Sequence, residues 1–379
     1  REWWIIMAEK LIGLSPDLII HPGETLKEML EDKEMSQREL AIRTSVTEPY
    51  ISNIVKGKKP ISVSFAKKLE YALGVDASFW INLQSNYEKE LADYEELNEI
   101  SSEEINILQK IKKLTDYAKE IGLIASDIEG SLLVIEWRKL LNISKLTHIS
   151  EISQLGAYRL SSSDNIEADI LFTWLRIIDL ITKSQQLDVE LNIELLKEKL
   201  HLIRALTFED IETIHIKLKE YLAECGIKFA IVKHFTGAPV QGVIKKDSDG
   251  TLSLIMTLRR KFADVFWFTF FHEIGHIING DIKDRLIDYE GVENETEIKA
   301  DKFAADFLID PIIYKKLVKS GDFSLSTIKE LCEKMKIPSF ILIGRLQREK
   351  HIEYHCFSDE KVRYELDEIE RRQVQSNCC

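Results

Sequence analysis

Residues 266–276 read FWFTFFHEIGH, a run that few folds can accommodate. Apolar side chains fall on every side of this segment, so as a helix it has to be buried, and the pattern predicts a helix over 262–280 ending at Gly280. On such a helix His272 and His276 are one turn apart on one face, so both imidazoles can reach a single ion. Glu273 lies about 100° round the same turn, beside the ion rather than on it. The chemistry of H-E-x-x-H follows: two neutral imidazoles and a carboxylate hold Zn2+ with one position open, and the glutamate takes a proton from attacking water. The bland alternative is a buried helix whose histidines are satisfied by hydrogen bonds.

A third ligand is needed, and residues 295–307, ETEIKADKFAADF, offer one. Glu297 and Asp301 are four apart on one face of a second predicted helix, with Ala300 and Ala304 small enough for close helix approach. Glu297 would complete a His-His-Glu set, and Asp301 would accept the outer N–H of a ligating histidine. Glu293 and Glu295 are alternatives, and the E-x-x-A-D order favours Glu297. His351 and His355 are also four apart, but HIEYH alternates like a strand and no carboxylate has matching spacing, so no metal site is expected there.

Upstream, IKFAIVKHF, VQGVIKK and TLSLIMTL are short β-branched runs separated by TGAP and KDSDG. They predict three strands of a small antiparallel sheet. Helices are expected at 262–280, 295–309, 326–336 and 338–350. With only 16 glycines and 7 prolines the remainder reads as helical, so the fold class is α+β, mostly α.

LRRKFADVFWFTFFHEIGHIINGD, ETEIKADKFAADFLIDP and IPSFILIGRLQ together closely resemble the ImmA/IrrE family of metallopeptidases, and AYRLSSSDNIEADILFTWLR resembles the segment preceding that domain in longer members. The resemblance covers roughly 150–355. It implies a gluzincin-like (zincin) fold with zinc, or manganese, on His272, His276 and Glu297 and with Glu273 as general base. It also implies cleavage of a helix-turn-helix repressor in response to a signal. No oxyanion-stabilising residue is matched; Arg259, Tyr314, Arg345 and His355 are the candidates.

The other end of the chain carries a second pattern. Residues 36–57, SQRELAIRTSVTEPYISNIVKG, match a helix-turn-helix at Gln37, Leu40, Ala41, Val46, Ile51, Ser52 and Gly57. Ser36 and Glu39 have capping-box spacing, Thr47 is placed to cap the second helix, and Pro49 falls in its first turn. The departure is Ser45, where the tight turn usually has glycine to accept φ > 0. Candidate base readers are Thr47, Glu48, Tyr50 and Asn53, with Gln37 on the preceding helix. Lys56 and Lys58 open a stretch to residue 68 with no acid, the local basic surface that a chain of net charge −13 needs to meet phosphates. The alternative is a protein-interaction module with an ordinary lysine surface. HPGETLKEMLEDKEMSQRELA through GVDASFWINLQSNYE resembles the HigA branch of Xre-type antitoxin repressors. That resemblance implies a homodimer on a palindromic operator and a toxin partner.

The 379 residues divide accordingly into an extension (1–20), a helix-turn-helix bundle (21–92), a charged helical connector (93–150), a peptidase domain (151–355) and a tail (356–379). Met7 is the expected natural start. The five cysteines show no C-x-x-C pair and fit reduced thiols, and the longest apolar run, VFWFTFF, is far below the roughly 18 residues of a membrane span. A cytoplasmic protein is expected. Three readings remain: a DNA-reading zinc endopeptidase that cuts a repressor or its own connector, an antitoxin-type repressor whose C-terminal domain binds a toxin or ligand without significant catalysis, and a metal sensor whose operator affinity changes with added metal. The presence of Glu273, which a binding-only relic has no need to keep, favours the enzyme.

Overall fold

The computed structural model describes residues 19–155, 166–282, 285–289 and 295–365, with 285–289 as backbone; the expected N-terminal extension and Met7 fall almost wholly outside them. The chain is mostly helical and forms two compact units, 1–109 with 124–147 and 110–123 with 148–379. Among the described residues no helix is long and apolar enough to cross a membrane.

The first unit begins with five helices: α1 (Pro22–Asp32), α2 (Gln37–Arg43), α3 (Glu48–Val55), α4 (Val63–Leu73) and α5 (Ala77–Asn98). Their starts are set by local chemistry. Gly23 N–H donates to His21 Nδ1, Glu39 N–H to Ser36 Oγ and Phe65 N–H to Ser62 Oγ, each satisfying an orphan donor of a first turn. Leu26, Leu40, Ile51, Ile54, Phe65, Leu69 and Trp80 close the core beneath them. A Cβ on Gly23 would collide with the Ile54 carbonyl, so only glycine lets α1 start against the end of α3.

Farther on come α6 (Ser102–Lys110), α7 (Lys112–Glu120), which belongs to the second unit, and α8 (Gly130–Leu141). The expected charged connector is therefore helical as predicted, but it is not simply a solvated spacer. Glu104 is fully buried, and its carboxylate takes a two-pronged bond from Arg138 Nε and Nη2 at 3.0 and 2.7 Å and another from Leu146 N–H at 2.9 Å. Arg138 Nη1 also reaches Glu96 of α5 at 2.8 Å, so one guanidinium ties α5, α6 and α8 together. The many charges along this stretch hid that pairing, because Arg138 lies 34 and 42 residues from its partners.

The second unit contains α9 (Ile149–Leu155), α10 (Ala168–Lys183), α11 (Ile193–Ala205) and α12 (Ile211–Glu224), then β1 (Ile227–Val232), β2 (Val240–Lys246) and β3 (Leu252–Thr257). Next come α13 (Ala263–Asn279), β4 (Arg285–Tyr289), α14 (Glu295–Leu308), α15 (Pro311–Ser320), α16 (Leu325–Met335) and α17 (Ser339–Arg348). Neither β4 nor α15 was among the elements expected from sequence.

The sheet departs from the antiparallel expectation. Its order is β1-β3-β2-β4, with β1 and β3 parallel and the other pairs antiparallel. The reason lies in burial. Every position of β1 and β3 is buried, the continuous pattern of strands covered on both faces, whereas a hairpin with one wet face would alternate. β3 consequently lies between β1 and β2. The outer edge of β1 is closed by Gln185, whose amide exchanges two hydrogen bonds with the Phe229 backbone at 3.1 and 3.3 Å.

Helix α13 is covered all round, as its composition required: Ala263, Trp267, Phe270, Phe271 and Ile274 have no exposed surface. Gly280, at φ 70°, ends it. Trp267 Nε1–H donates to the Tyr364 hydroxyl at 2.9 Å, and Tyr364 is itself buried. Packing of this unit thus continues past 355 to residue 365, into the expected tail; residues 366–379 lie outside the described residues.

Arg138→Ala, which strands the Glu104 carboxylate, is expected to cost about 3–5 kcal/mol, while Arg138→Met with Glu104→Leu recovers most of it. Burial pushes the Glu104 carboxyl up, but the Arg138 and Leu146 bonds outweigh it and hold it below its ordinary value. The pair's contribution is therefore present at neutral pH and lost as pH falls through the carboxylate range. Urea midpoints at pH 7 and pH 4 check both statements.

Candidate metal centre and nucleic-acid interface

His272, Glu273 and His276 all lie on α13 and are buried. Helix α14 approaches closely because Gly275 faces Ala300: an added Cβ would stand 3.1 Å from Ala300 Cα, and Ala300 and Ala304 are fully buried. That approach brings Glu297 to the two histidines. His272 Nε2 is 3.0 Å from Glu297 Oε2 and 3.0 Å from His276 Nε2, and His276 Nε2 is 3.5 Å from Glu297 Oε2. Among the described residues this is the one group of His, Cys, Asp and Glu whose ligand atoms converge, all within 4.8 Å. The alternatives part here: Glu295 is exposed, and Glu293 lies outside the described residues.

The far sides of the rings are occupied by carboxylates. His272 Nδ1 is 2.8 Å from Asp301 Oδ1, and His276 Nδ1 is 3.0 Å from Asp281 Oδ1. An ionised carboxylate only accepts, so each Nδ1 carries the proton and a neutral ring presents a bare lone pair at Nε2. Two such lone pairs and a carboxylate oxygen then face one point. Their separations of 3.0–3.5 Å match the edge of about 3.3 Å expected for a tetrahedron with zinc–nitrogen bonds near 2.05 Å. His272, His276 and Glu297 are thus the residues able to hold a divalent cation. Burial pushes the Asp301 carboxyl up, but its His272 bond and the Arg348 charge outweigh that and keep it low.

Glu273 has no exposed surface and packs against β2, where a Cβ on Gly242 would collide with its carboxylate. Gly242 falls within the register shift between Val240 and Val243 where β2 pairs with β4. Sequence reading did not single out Gly242, Asp281 or Arg348. Asp281 had a local signal: the left-handed turn at Gly280 folds the chain back, returning the next residue to His276 five positions earlier.

The oxyanion candidates do not join this cluster. Tyr314 and Arg345 turn to each other and to Glu349, with the guanidinium 3.8 Å above the ring. Arg259 Nη1 donates to the Pro239 carbonyl, and His355 lies exposed in a turn. HIEYH is a turn rather than the expected strand; His351 stacks on Phe323, and among the described residues it joins no group of converging ligand atoms.

In the first unit the helix pair 37–43 and 48–55 stands as expected, and Ser45 takes φ 51°, the left-handed turn usually assigned to glycine. Ser36 caps α2, but the Glu39 carboxylate binds Arg43 at 2.6 Å, and the box is half used. Thr47 sits at the N-cap of α3 without a side-chain cap bond. Thr47, Glu48, Asn53, Lys56 and Lys58 are exposed, and Gln37 is half-buried. Tyr50 is also half-buried; its ring packs edge-on against Phe65 at 5.2 Å and carries the Lys59 ammonium at 4.4 Å, so it supports α3 as well as facing outward.

Residues 26–80 match the helix-turn-helix family. Virulence-associated protein I of Dichelobacter nodosus is 35% identical over 75 residues, which are 20% of this chain and 69% of that protein. Among solved structures, PA4674 of Pseudomonas aeruginosa in complex with its 18 bp operator DNA is 38% identical, covering 19% of this chain and 80% of that one with a TM-score of 0.19. An addiction module antidote protein of the HigA family from Coxiella burnetii is 27% identical, covering 26% and 91%, with a TM-score of 0.19.

Proposed function

This chain belongs to the helix-turn-helix family through residues 26–80, and from that premise we propose that it is a DNA-binding transcriptional regulator carrying a zinc-dependent endopeptidase site. Helix α3 would enter the major groove with Thr47, Glu48 and Asn53 toward base edges, while Lys56 and Lys58 meet phosphates. A relative solved on its own operator supports this reading, and a homodimer on a palindromic site is its natural form.

The observation that carries the peptidase half is the convergence of His272 Nε2, His276 Nε2 and Glu297 Oε2, with both Nδ1 atoms fixed on carboxylates. These three residues would hold zinc, with manganese as the second choice in the cell. When bound, the ion supplies a Lewis acid that acidifies water and polarises a peptide carbonyl. The chain's own residues do the rest. Asp281 and Asp301 hold the rings in the tautomer that presents Nε2. Glu273, one residue along from His272, is placed to take the proton of an attacking water and return it to the leaving amine. Gly242 leaves the space that the Glu273 carboxylate occupies. The region 151–355, in a zincin-like arrangement with α13 as its H-E-x-x-H helix, forms the peptidase part.

A separate helix-turn-helix repressor is the favoured substrate over the chain's own residues 93–150. Proteolysis needs extended, accessible backbone, and most of that segment is helical, with Glu104, Leu114, Val134 and Trp137 buried. The second reading, an antitoxin-type repressor whose C-terminal unit binds a toxin or ligand without significant catalysis, is favoured by the likeness to an antidote protein.

The metal reading is tested by zinc titration against a chromophoric chelator. The wild-type chain is expected to take up one zinc ion, and Glu297→Gln to bind at least tenfold more weakly; a wild type that takes up none contradicts it. On the DNA side, Lys56→Ala should weaken operator binding across sequences and lower the slope of log K against log salt by about 1, as read by fluorescence anisotropy.

A further inference from the structure

The two histidines are backed by unequal carboxylates. Asp281 follows directly on Gly280, and only 16% of its side chain is exposed, so the turn itself holds it against His276. Asp301 is 44% exposed and would be free to swing into water. What restrains it is Arg348, at the end of α17. The guanidinium donates from Nη2 to Asp301 Oδ2 at 2.8 Å, leaving Oδ1 for His272 Nδ1. The same guanidinium lies 3.8 Å above the ring of Phe268, which stands one turn before His272 on α13. One side chain therefore touches both helices that carry the proposed ligands.

We propose that Arg348 is a positioning residue for the metal centre, acting on His272 through Asp301; this rests on the zinc reading above. Two effects compete. The positive charge draws electron density from the Asp301 carboxylate, which weakens it as a partner for the imidazole. Against this, a two-point hold removes the rotation of a half-exposed carboxylate and fixes the ring plane of His272. Positioning wins because a wet, rotating carboxylate would leave Nδ1 to water, and groups that orient metal ligands are worth about 10–100-fold in affinity. The planar fork that stacks on Phe268 while bonding Asp301 suits arginine and not lysine, whose ammonium can do one but not the other.

The test uses the full chain, zinc and cobalt as probes, and five forms: wild type, Arg348→Met, Arg348→Lys, Asp301→Asn and the double variant Arg348→Met/Asp301→Asn. Arg348→Met keeps the apolar stem over Phe268, and its thermal midpoint is measured alongside to confirm folding. Arg348→Met is expected to lower zinc affinity roughly tenfold and to alter the visible absorption of the cobalt-loaded chain. In the Asp301→Asn background the same change should add less than about twofold, since both act through one ring. Arg348→Lys should recover only part of the loss. Unchanged zinc affinity in Arg348→Met, or a full tenfold effect persisting without Asp301, overturns the proposal while leaving the metal site standing. A wild type that takes up no zinc removes the metal reading and this inference together.

Discussion

The close approach of α13 and α14 is the constraint on which the second unit depends. Gly275 brings no side chain to the contact and Ala300 only a methyl, and that allows Glu297 on one helix to reach His272 and His276 on the other. A larger residue at either position would open the gap and scatter the three donors. The aromatic wall of Phe266, Trp267, Phe270 and Phe271 then has a double task. It supplies the burial that holds α13 rigidly in place, and it excludes water from the helix on which the histidines stand. Burial of apolar area at about 25 cal/mol per Å2 is the main stabilising term for such a helix. The Nδ1–H groups of its two histidines are tolerated because Asp301 and Asp281 accept from them.

The first unit works on a different principle. Its first four helices are 7–11 residues long and begin at side-chain or proline caps, and its turn at Ser45 accepts a left-handed backbone without glycine. Such a conformation costs a non-glycine residue on the order of 1 kcal/mol, which the packing of Leu40, Ile51 and Trp80 must offset. Here function sits on the exposed side of α3, and the core serves to hold that helix at a fixed angle. In the second unit the proposed chemistry lies inside the core itself.

How much of this was legible follows from the range of each interaction. The histidine pair, the Glu297–Asp301 spacing and the alanines beside them are local helical patterns, and the structure brings those residues together. Ser36, Ser45 and Pro49 were equally readable, because caps and turns are decided within four residues. The sheet order was not. Whether β1 pairs with β2 or β3 depends on what covers its faces, which no local alternation records. Arg138 and Arg348 were missed for the same reason: their carboxylate partners lie 34 and 47 positions away. Their roles are set by the angle at which helices meet.

The proposed cleavage of peptide bonds with Glu273 as the base is tested most directly by a survey of new protein N-termini in the native host. Wild type is compared with Glu273→Gln under several stresses, a change that should keep the metal-binding residues intact and remove the proton acceptor. New chain ends are expected in the wild type alone, lying in a helix-turn-helix repressor. Identical profiles in the two strains under every stress, with operator binding equal, would contradict it and leave the antitoxin-type repressor as the reading that stands.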